Sequence, residues 1–281
     1  MDQKIITLFD SFTHGGMNRR DFMEKLSLLV GSTTAAVAIL PLLENNYAFA
    51  ELLPENDPAI AVQNLDFAGG KGYFATPKVA GKYPAVIVIH ENRGLNPHIK
   101  DLTRRLAKSG FTALAPDYLS ELGGTPDDAD KAKDMIGTLK PDAILSTSKA
   151  ALVALRVNPS SNGKSGAVGF CWGGGAVNDL AVSDQTLSAG VAYYGRQAKT
   201  TDVAKIKAPL LLHYGALDER INAGIPEFEA ALKAAQKTYE LFIYEGANHA
   251  FNNDTNATRY NKETAELAWS RTIEFLKKHI A

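Results

Sequence analysis

Residues 166–175 read GAVGFCWGGG, and the sixth of them, Cys171, is the only cysteine among 281 residues. An apolar run ends here in the pattern G-x-C-x-G, with Gly169 and Gly173 each two residues from the sulfur. A nucleophile presented on a sharp strand-to-helix turn sits in a strained backbone conformation, and its neighbours two residues away must be nearly free of side chain. The same turn aims the sulfur at the start of a helix, where the dipole and free N–H groups favour a thiolate. The stretch therefore predicts a buried strand, a tight turn carrying a reactive thiol, and a helix. A structural cysteine in a Gly-rich turn is the plainer alternative, and the motif argues against it.

Outward from this turn the chain alternates strand-like and helix-like segments, with no repeat and no low-complexity linker. Residues 62–67 and 71–75 read as a hairpin around Gly69-Gly70. The run PAVIVIH at 84–90 suits a strand buried on both faces. Further strands are expected at 111–115, 164–170, 187–193, 209–214 and 239–244. Helices are expected at 98–109 (closed by Gly110), 141–157, from 173, 225–237 and 259–279, with a polar segment at 120–130. Such alternation implies one α/β domain, a mostly parallel central sheet with helices on both faces.

Ligands of open α/β sheets sit at the carboxyl ends of the strands. Four reactive groups fall there: Glu91 after PAVIVIH, Cys171, Asp218 after PLLLHYGAL, and His249 after YELFIYEGAN. The order Cys, Asp, His matches the nucleophile–acid–base order of α/β-hydrolases. Histidine takes the thiol proton or pairs with the thiolate, and aspartate fixes its tautomer and orientation. Asp202 is a rival acid, but only Asp218 follows a strand at the expected place. His90 and His213, in or at the end of apolar strands, read as core residues. His14, His98 and His279 read as solvated or signal-segment positions.

The pieces HENRG (90–94), APDYL (115–119), GFCWGGG (169–175), YYGR (193–196), HYGALDERI (213–221) and GANHAF (246–251) resemble, in order, the dienelactone hydrolase family, cysteine α/β-hydrolases named for carboxymethylenebutenolidase activity. The resemblance implies an α/β-hydrolase fold and opening of a small ester or lactone through a thioester. It also implies that Glu91 contacts the resting thiol and receives its proton when substrate arrives. A carboxylate beside a thiol would keep the sulfur protonated until then. The amides of Trp172 and Asn92 are the candidate oxyanion hole. Arg93, Arg196 and Arg259 are rival clamps for a substrate carboxylate, and Tyr118, Tyr194 and Phe251 are further substrate-binding candidates from the matched pieces. The family carries an arginine soon after the catalytic histidine; here the nearest is Arg259. A broad carboxylesterase or thioesterase, or a non-catalytic binding protein on the same fold, are the alternatives.

Composition agrees with an ordinary globular chain: 45% hydrophobic, with 30 Lys+Arg against 31 Asp+Glu. That balance gives no electrostatic case for nucleic acid or an anionic membrane. Nothing implies a metal or an organic cofactor. Residues 1–50 differ. Arg19-Arg20-Asp21-Phe22-Met23, the apolar run 26–43 and the triplet Ala48-Phe49-Ala50 resemble a twin-arginine export signal. This reading expects use of the export machinery, a mature enzyme of residues 51–281 in the periplasm without stable membrane insertion, and a translation start at Met1 or Met17.

Overall fold

The computed structural model describes residues 1–47 and 52–281. Its centre is an eight-stranded sheet of β1 (Ile60–Phe67), β2 (Gly70–Pro77), β3 (Tyr83–Ile89), β4 (Thr112–Asp117), β5 (Ser161–Phe170), β6 (Ala189–Tyr193), β7 (Leu210–Gly215) and β8 (Tyr239–Tyr244). The spatial order is β1-β2-β4-β3-β5-β6-β7-β8. β2 pairs antiparallel with β1 and with β4, and every other pairing is parallel. The hairpin, the buried strand at PAVIVIH and the α/β class are as expected from the sequence.

The apolar runs are continuous because both faces of the central strands are covered. Val86 and Val88 of β3 face a layer with Leu102 and Leu106 of α4 (Pro97–Lys108) and Phe275 and Leu276 of α10 (Lys262–Ile280). Ile87 and Ile89 face the opposite layer, with Leu152 of α6 (Pro141–Arg156), Leu180 of α7 (Trp172–Ser183) and Phe228 of α9 (Ile225–Ala234). α4 begins where Asn96 accepts from the Ile99 amide with Pro97 in the first turn, and it is followed by Gly110 at φ 95°. Two short helices join the expected set: α5 (Ala129–Gly137), part of which was expected as polar loop, and α8 (Glu219–Asn222).

Residues 1–47 are folded against this body. α1 (Gln3–Thr13), α2 (Arg19–Val30) and α3 (Thr33–Leu43) bury Phe9, Phe12, Phe22, Leu26, Ala36 and Leu43 among themselves, with the Phe12 and Phe22 rings stacked at 4.7 Å. Hydrogen bonds tie them to the α/β layers: Gln3 Nε2 to Asn248 Oδ1 (2.6 Å), Arg19 to Asp130 (2.7 Å), and Asn256 Nδ2 to the Leu43 carbonyl (2.6 Å). Among the described residues no single helix is long and apolar enough to cross a membrane; α2 and α3 meet at a 110° bend. The cleavage-like triplet Ala48-Phe49-Ala50 and the expected mature terminus at Glu51 lie outside the described residues.

The turn at Cys171 tests the packing argument. A Cβ on Gly169 would overlap the Gly173 carbonyl, and one on Gly173 would overlap the carbonyls of Ile89 and His90. Backbone cannot step aside as a side chain can, so Gly169→Ala should cost about 1–3 kcal/mol. A fall in melting temperature of roughly 2 °C or more is the expected outcome by calorimetry; an unchanged transition would show that the turn is slack.

Candidate active site

Cys171 sits between β5 and α7 at φ 55°, ψ −113°, a conformation that L-residues rarely hold. Strain of this kind is commonly about 1–3 kcal/mol and persists only where surroundings enforce it. Here its amide donates to the Tyr193 carbonyl (3.0 Å), while Gly169 and Gly173 allow the strand end and the helix start to touch. Asp218 follows β7 and caps α8: Oδ1 accepts from the Ile221 amide at 3.3 Å, leaving Oδ2 for the His249 ring. His249 lies in the loop after β8. Backbone bonds from Ala216 to the Tyr244 carbonyl and from Leu217 to the Ala247 carbonyl hold the Asp218 and His249 loops side by side.

His249 Nδ1 donates to Asp218 Oδ2 at 2.5 Å, both side chains being buried. That bond places the ring's other lone pair on Nε2, which is buried and has no partner among the described residues. A ring nitrogen of His249 lies within 4.8 Å of the Cys171 sulfur. No described residue accepts from the amides of Trp172 or Asn92, so both are available to an oxyanion. The structure thus brings Cys171, His249 and Asp218 together.

Other candidates sit differently. Glu91 is buried near the sulfur but turned to other partners: Asn253 Nδ2 donates to Oε2 at 2.7 Å and Tyr194 Oη to Oε1 at 3.5 Å. The thiol contact expected of it is made by another side chain, His14, whose Nε2 is 3.1 Å from Sγ. His14 was read as solvated or part of a leader; it is the residue that sequence reasoning missed. Its signal was an amphipathic helix, with Ile5, Ile6, Phe9 and Phe12 on one side, stopped by Gly15-Gly16. His98 is likewise fully buried, with Nδ1 2.9 Å from Asp254 Oδ1, and not solvated. His90 and His213 are core residues as expected; burial pushes His213 down to about 3.

Tyr118 and Phe251 are withdrawn as substrate contacts. Tyr118 bonds Ser148 (2.7 Å) and packs on His90 and Trp172, while Phe251 is buried among Tyr193, Tyr194 and Tyr244. Neither lines the two cavities that meet at the sulfur. One, of about 480 Å³, is lined by Arg19, Tyr47, Glu91, Arg93, His249 and Arg259. The other, of about 550 Å³, is lined by His14, Ile136, Trp172, Tyr194 and Arg196. Arg93 is paired with Asp130 (2.7 Å) and the largely exposed Arg196 with Asp179. Arg259 is 8% exposed, lies over the Phe9 ring, and reaches Asp10 only at 3.8 Å; its Nε has no partner among the described residues.

Asp10 anchors this side of the site. Burial opposes its charge, but His249, His14 and Arg220 outweigh burial and hold its carboxyl far below the usual range. Burial likewise opposes protonation of His14, and the neighbouring Cys171 and Asp10 outweigh it, raising His14 above an ordinary histidine.

Residues 71–280 match the dienelactone hydrolase family, and residues 1–31 match a separate family described as YqhI-like. A Methylorubrum extorquens protein provisionally named a carboxymethylenebutenolidase is 33% identical over 222 residues, covering 74% of this chain and 76% of its own. A Bradyrhizobium protein provisionally named a 2-oxo-3-(5-oxofuran-2-ylidene)propanoate lactonase is 34% identical, covering 74% and 89%. The crystal structure of a provisionally assigned dienelactone hydrolase from Klebsiella pneumoniae superposes with a TM-score of 0.71 at 29% identity, over 79% of this chain and all of that one.

The short His249–Asp218 bond has a spectroscopic consequence. Its proton should resonate far downfield in the proton NMR spectrum of the resting protein, as charge-assisted bonds of this length do. Asp218→Asn should remove that signal. A downfield signal that survives the substitution would mean that the ring is held by something else.

Proposed function

The chain belongs to the dienelactone hydrolase family and is a carboxylic ester hydrolase; we propose that it opens a small ester or lactone through a thioester on Cys171, with His249 and Asp218 completing a triad. The observation that carries the reading is the strained Cys171 turn beside a buried His249 whose Nδ1 is committed to Asp218 and whose Nε2 is unpartnered. The sulfur attacks the carbonyl carbon, and the Trp172 and Asn92 amides stabilise the oxyanion that forms. Collapse breaks the carbon–oxygen bond, and the departing alkoxide takes the proton that the thiol gave up. His249 Nε2 then removes a proton from water, hydroxide attacks the thioester, and the carboxylic acid leaves as the thiolate is restored.

The cavity and one relative's name support a narrower substrate class. The Bradyrhizobium relative is named for a lactone that carries a carboxylate. Of the three rival arginines, Arg93 and Arg196 are already engaged by aspartates, whereas Arg259 is buried at the cavity wall with Nε unpartnered. A guanidinium so placed favours a carboxylate-bearing lactone over a neutral ester.

A panel of activated esters and lactones tests both parts. Cys171→Ala should abolish hydrolysis, and quenching wild type during turnover of a slow ester should yield an acyl adduct on Cys171 by mass spectrometry. Hydrolysis undiminished in Cys171→Ala would remove the proposal. Arg259→Met should raise KM for a carboxylate-bearing lactone about tenfold or more, the worth of a charge-assisted bond, and leave a neutral ester within about twofold. Equal effects on both substrates would dismiss Arg259 as the clamp.

A further inference from the structure

Two imidazoles flank the sulfur, and only one belongs to the triad. His14 Nε2 is 3.1 Å from Cys171 Sγ, and its ring meets the His249 ring edge-on at 4.6 Å between centroids. Its Nδ1 is 2.7 Å from the Asp10 carbonyl, which can only accept, so Nδ1 carries a hydrogen. In the neutral ring the Nε2 lone pair therefore faces the thiol; in the charged ring Nε2–H faces the thiolate. We propose that His14 is a catalytic residue of this hydrolase, the base that takes the Cys171 proton and holds the thiolate as an ion pair. The proposal rests on the reading of Cys171 as nucleophile and adds a residue from outside the hydrolase fold.

The charges around His14 act in both directions, and the favourable ones prevail. On its own helix the Asp10 carboxylate is 3.3 Å from Nδ1. Arg220 of α8 pairs with Asp10 Oδ2 and helps keep it ionised, while Arg259, from the loop before α10, lies 3.8 Å from Oδ1, the same oxygen that faces His14. From the loop after β8 comes His249, whose charge, like burial, opposes one on His14. His14 is also the C-cap of α1, where the helix dipole favours a cation. Glu91 faces Asn253 and Tyr194, so it does not compete for the proton.

The proton balance closes. Transfer of the S–H proton to His14 Nε2 gives the thiolate and an imidazolium. The thiolate forms the carbon–sulfur bond, and when the ester carbon–oxygen bond breaks, His14 gives its proton to the departing alkoxide. In the second half-reaction His249 Nε2 takes a proton from water. The restored thiolate needs one proton on its partner, and the proton gained by His249 returns to His14 directly or through water. Division of the two duties leaves His249 Nε2, which has no partner among the described residues, for deacylation.

The test uses the full chain, with residues 1–14 verified by mass, since removal near Glu51 would take His14 away. Iodoacetamide alkylation of Cys171 is measured against pH in wild type, His14→Gln and His14→Ala, with no substrate present. In wild type the rate should persist well below the range in which free thiols react, and the ultraviolet absorbance of a thiolate should be present near pH 6. In both variants the acid limb should move up by about one unit or more, kcat/KM should fall at least tenfold, and added imidazole should restore part of the loss in His14→Ala. Wild-type alkylation profiles with kcat/KM within twofold would overturn the proposal. So would variants that hydrolyse faster, because His14 would then be an obstruction, or no thiolate absorbance in wild type, a measurement that needs no variant. Loss of the Cys171 adduct defeats the triad reading instead, and the alkylation arm keeps the two failures apart.

Discussion

The close approach of Gly169 to the Gly173 carbonyl is the constraint on which the rest of the site depends. It lets the end of β5 and the first turn of α7 touch, and so forces Cys171 between them to φ 55°. The strain persists because its surroundings have little freedom. β3, β5 and β6 are packed on both faces, and the Tyr193 carbonyl at the end of β6 holds the Cys171 amide. The same parallel arrangement brings the ends of β7 and β8 beside the turn, which puts Asp218 and His249 within reach of one sulfur. Geometry of the sheet and chemistry of the site are one problem here.

Much of this was legible in the sequence because its causes are local. A two-sided buried strand shows as PAVIVIH, a crowded turn shows as glycines, and strand ends show where an apolar run stops. What escaped depends on partners far along the chain. His98 opens a helix and looks solvated, yet its partner is Asp254, 156 residues away. Tyr118 and Phe251 belong to motif pieces, but their rings serve packing, and no local pattern separates an aromatic that lines a cavity from one that walls it. Glu91 lines the cavity at the sulfur, but its carboxylate is held by Asn253, 162 residues on.

Residues 1–47 show how one composition supports two readings. Paired arginines, an apolar run softened by Gly, Ser and Thr, and an internal proline describe an export signal. They equally describe a helical hairpin: Gly31 at φ 87° ends α2, Ser32 caps α3 by accepting from Ala35, and Arg19 is paired with Asp130. Within the run 26–43, Leu26, Ala36 and Leu43 are buried in the small core with α1, while Leu28, Leu29, Val37 and Leu42 are exposed. The YqhI-like match over residues 1–31 takes in α1 together with α2, on both sides of Met17. Hydropathy averages over a window and cannot register that α1 supplies the other half of this small core.

The charges at the site make that hairpin and the hydrolase body interdependent. A buried carboxylate such as Asp10 is stable only with partners, and its partners are His14 at the end of α1, which packs on that hairpin, and Arg220 and Arg259 from the body. Arg259 in turn stays out of water because Phe9 lies over its guanidinium. Interactions between charges strengthen as water is excluded, so α1 raises the pull of Arg259 on any anion that enters the cavity. It also sets the environment of the sulfur through His14. The helix that closes the site is therefore part of its electrostatics: without α1 the same arginine and the same thiol would face solvent, and each would be a weaker version of itself.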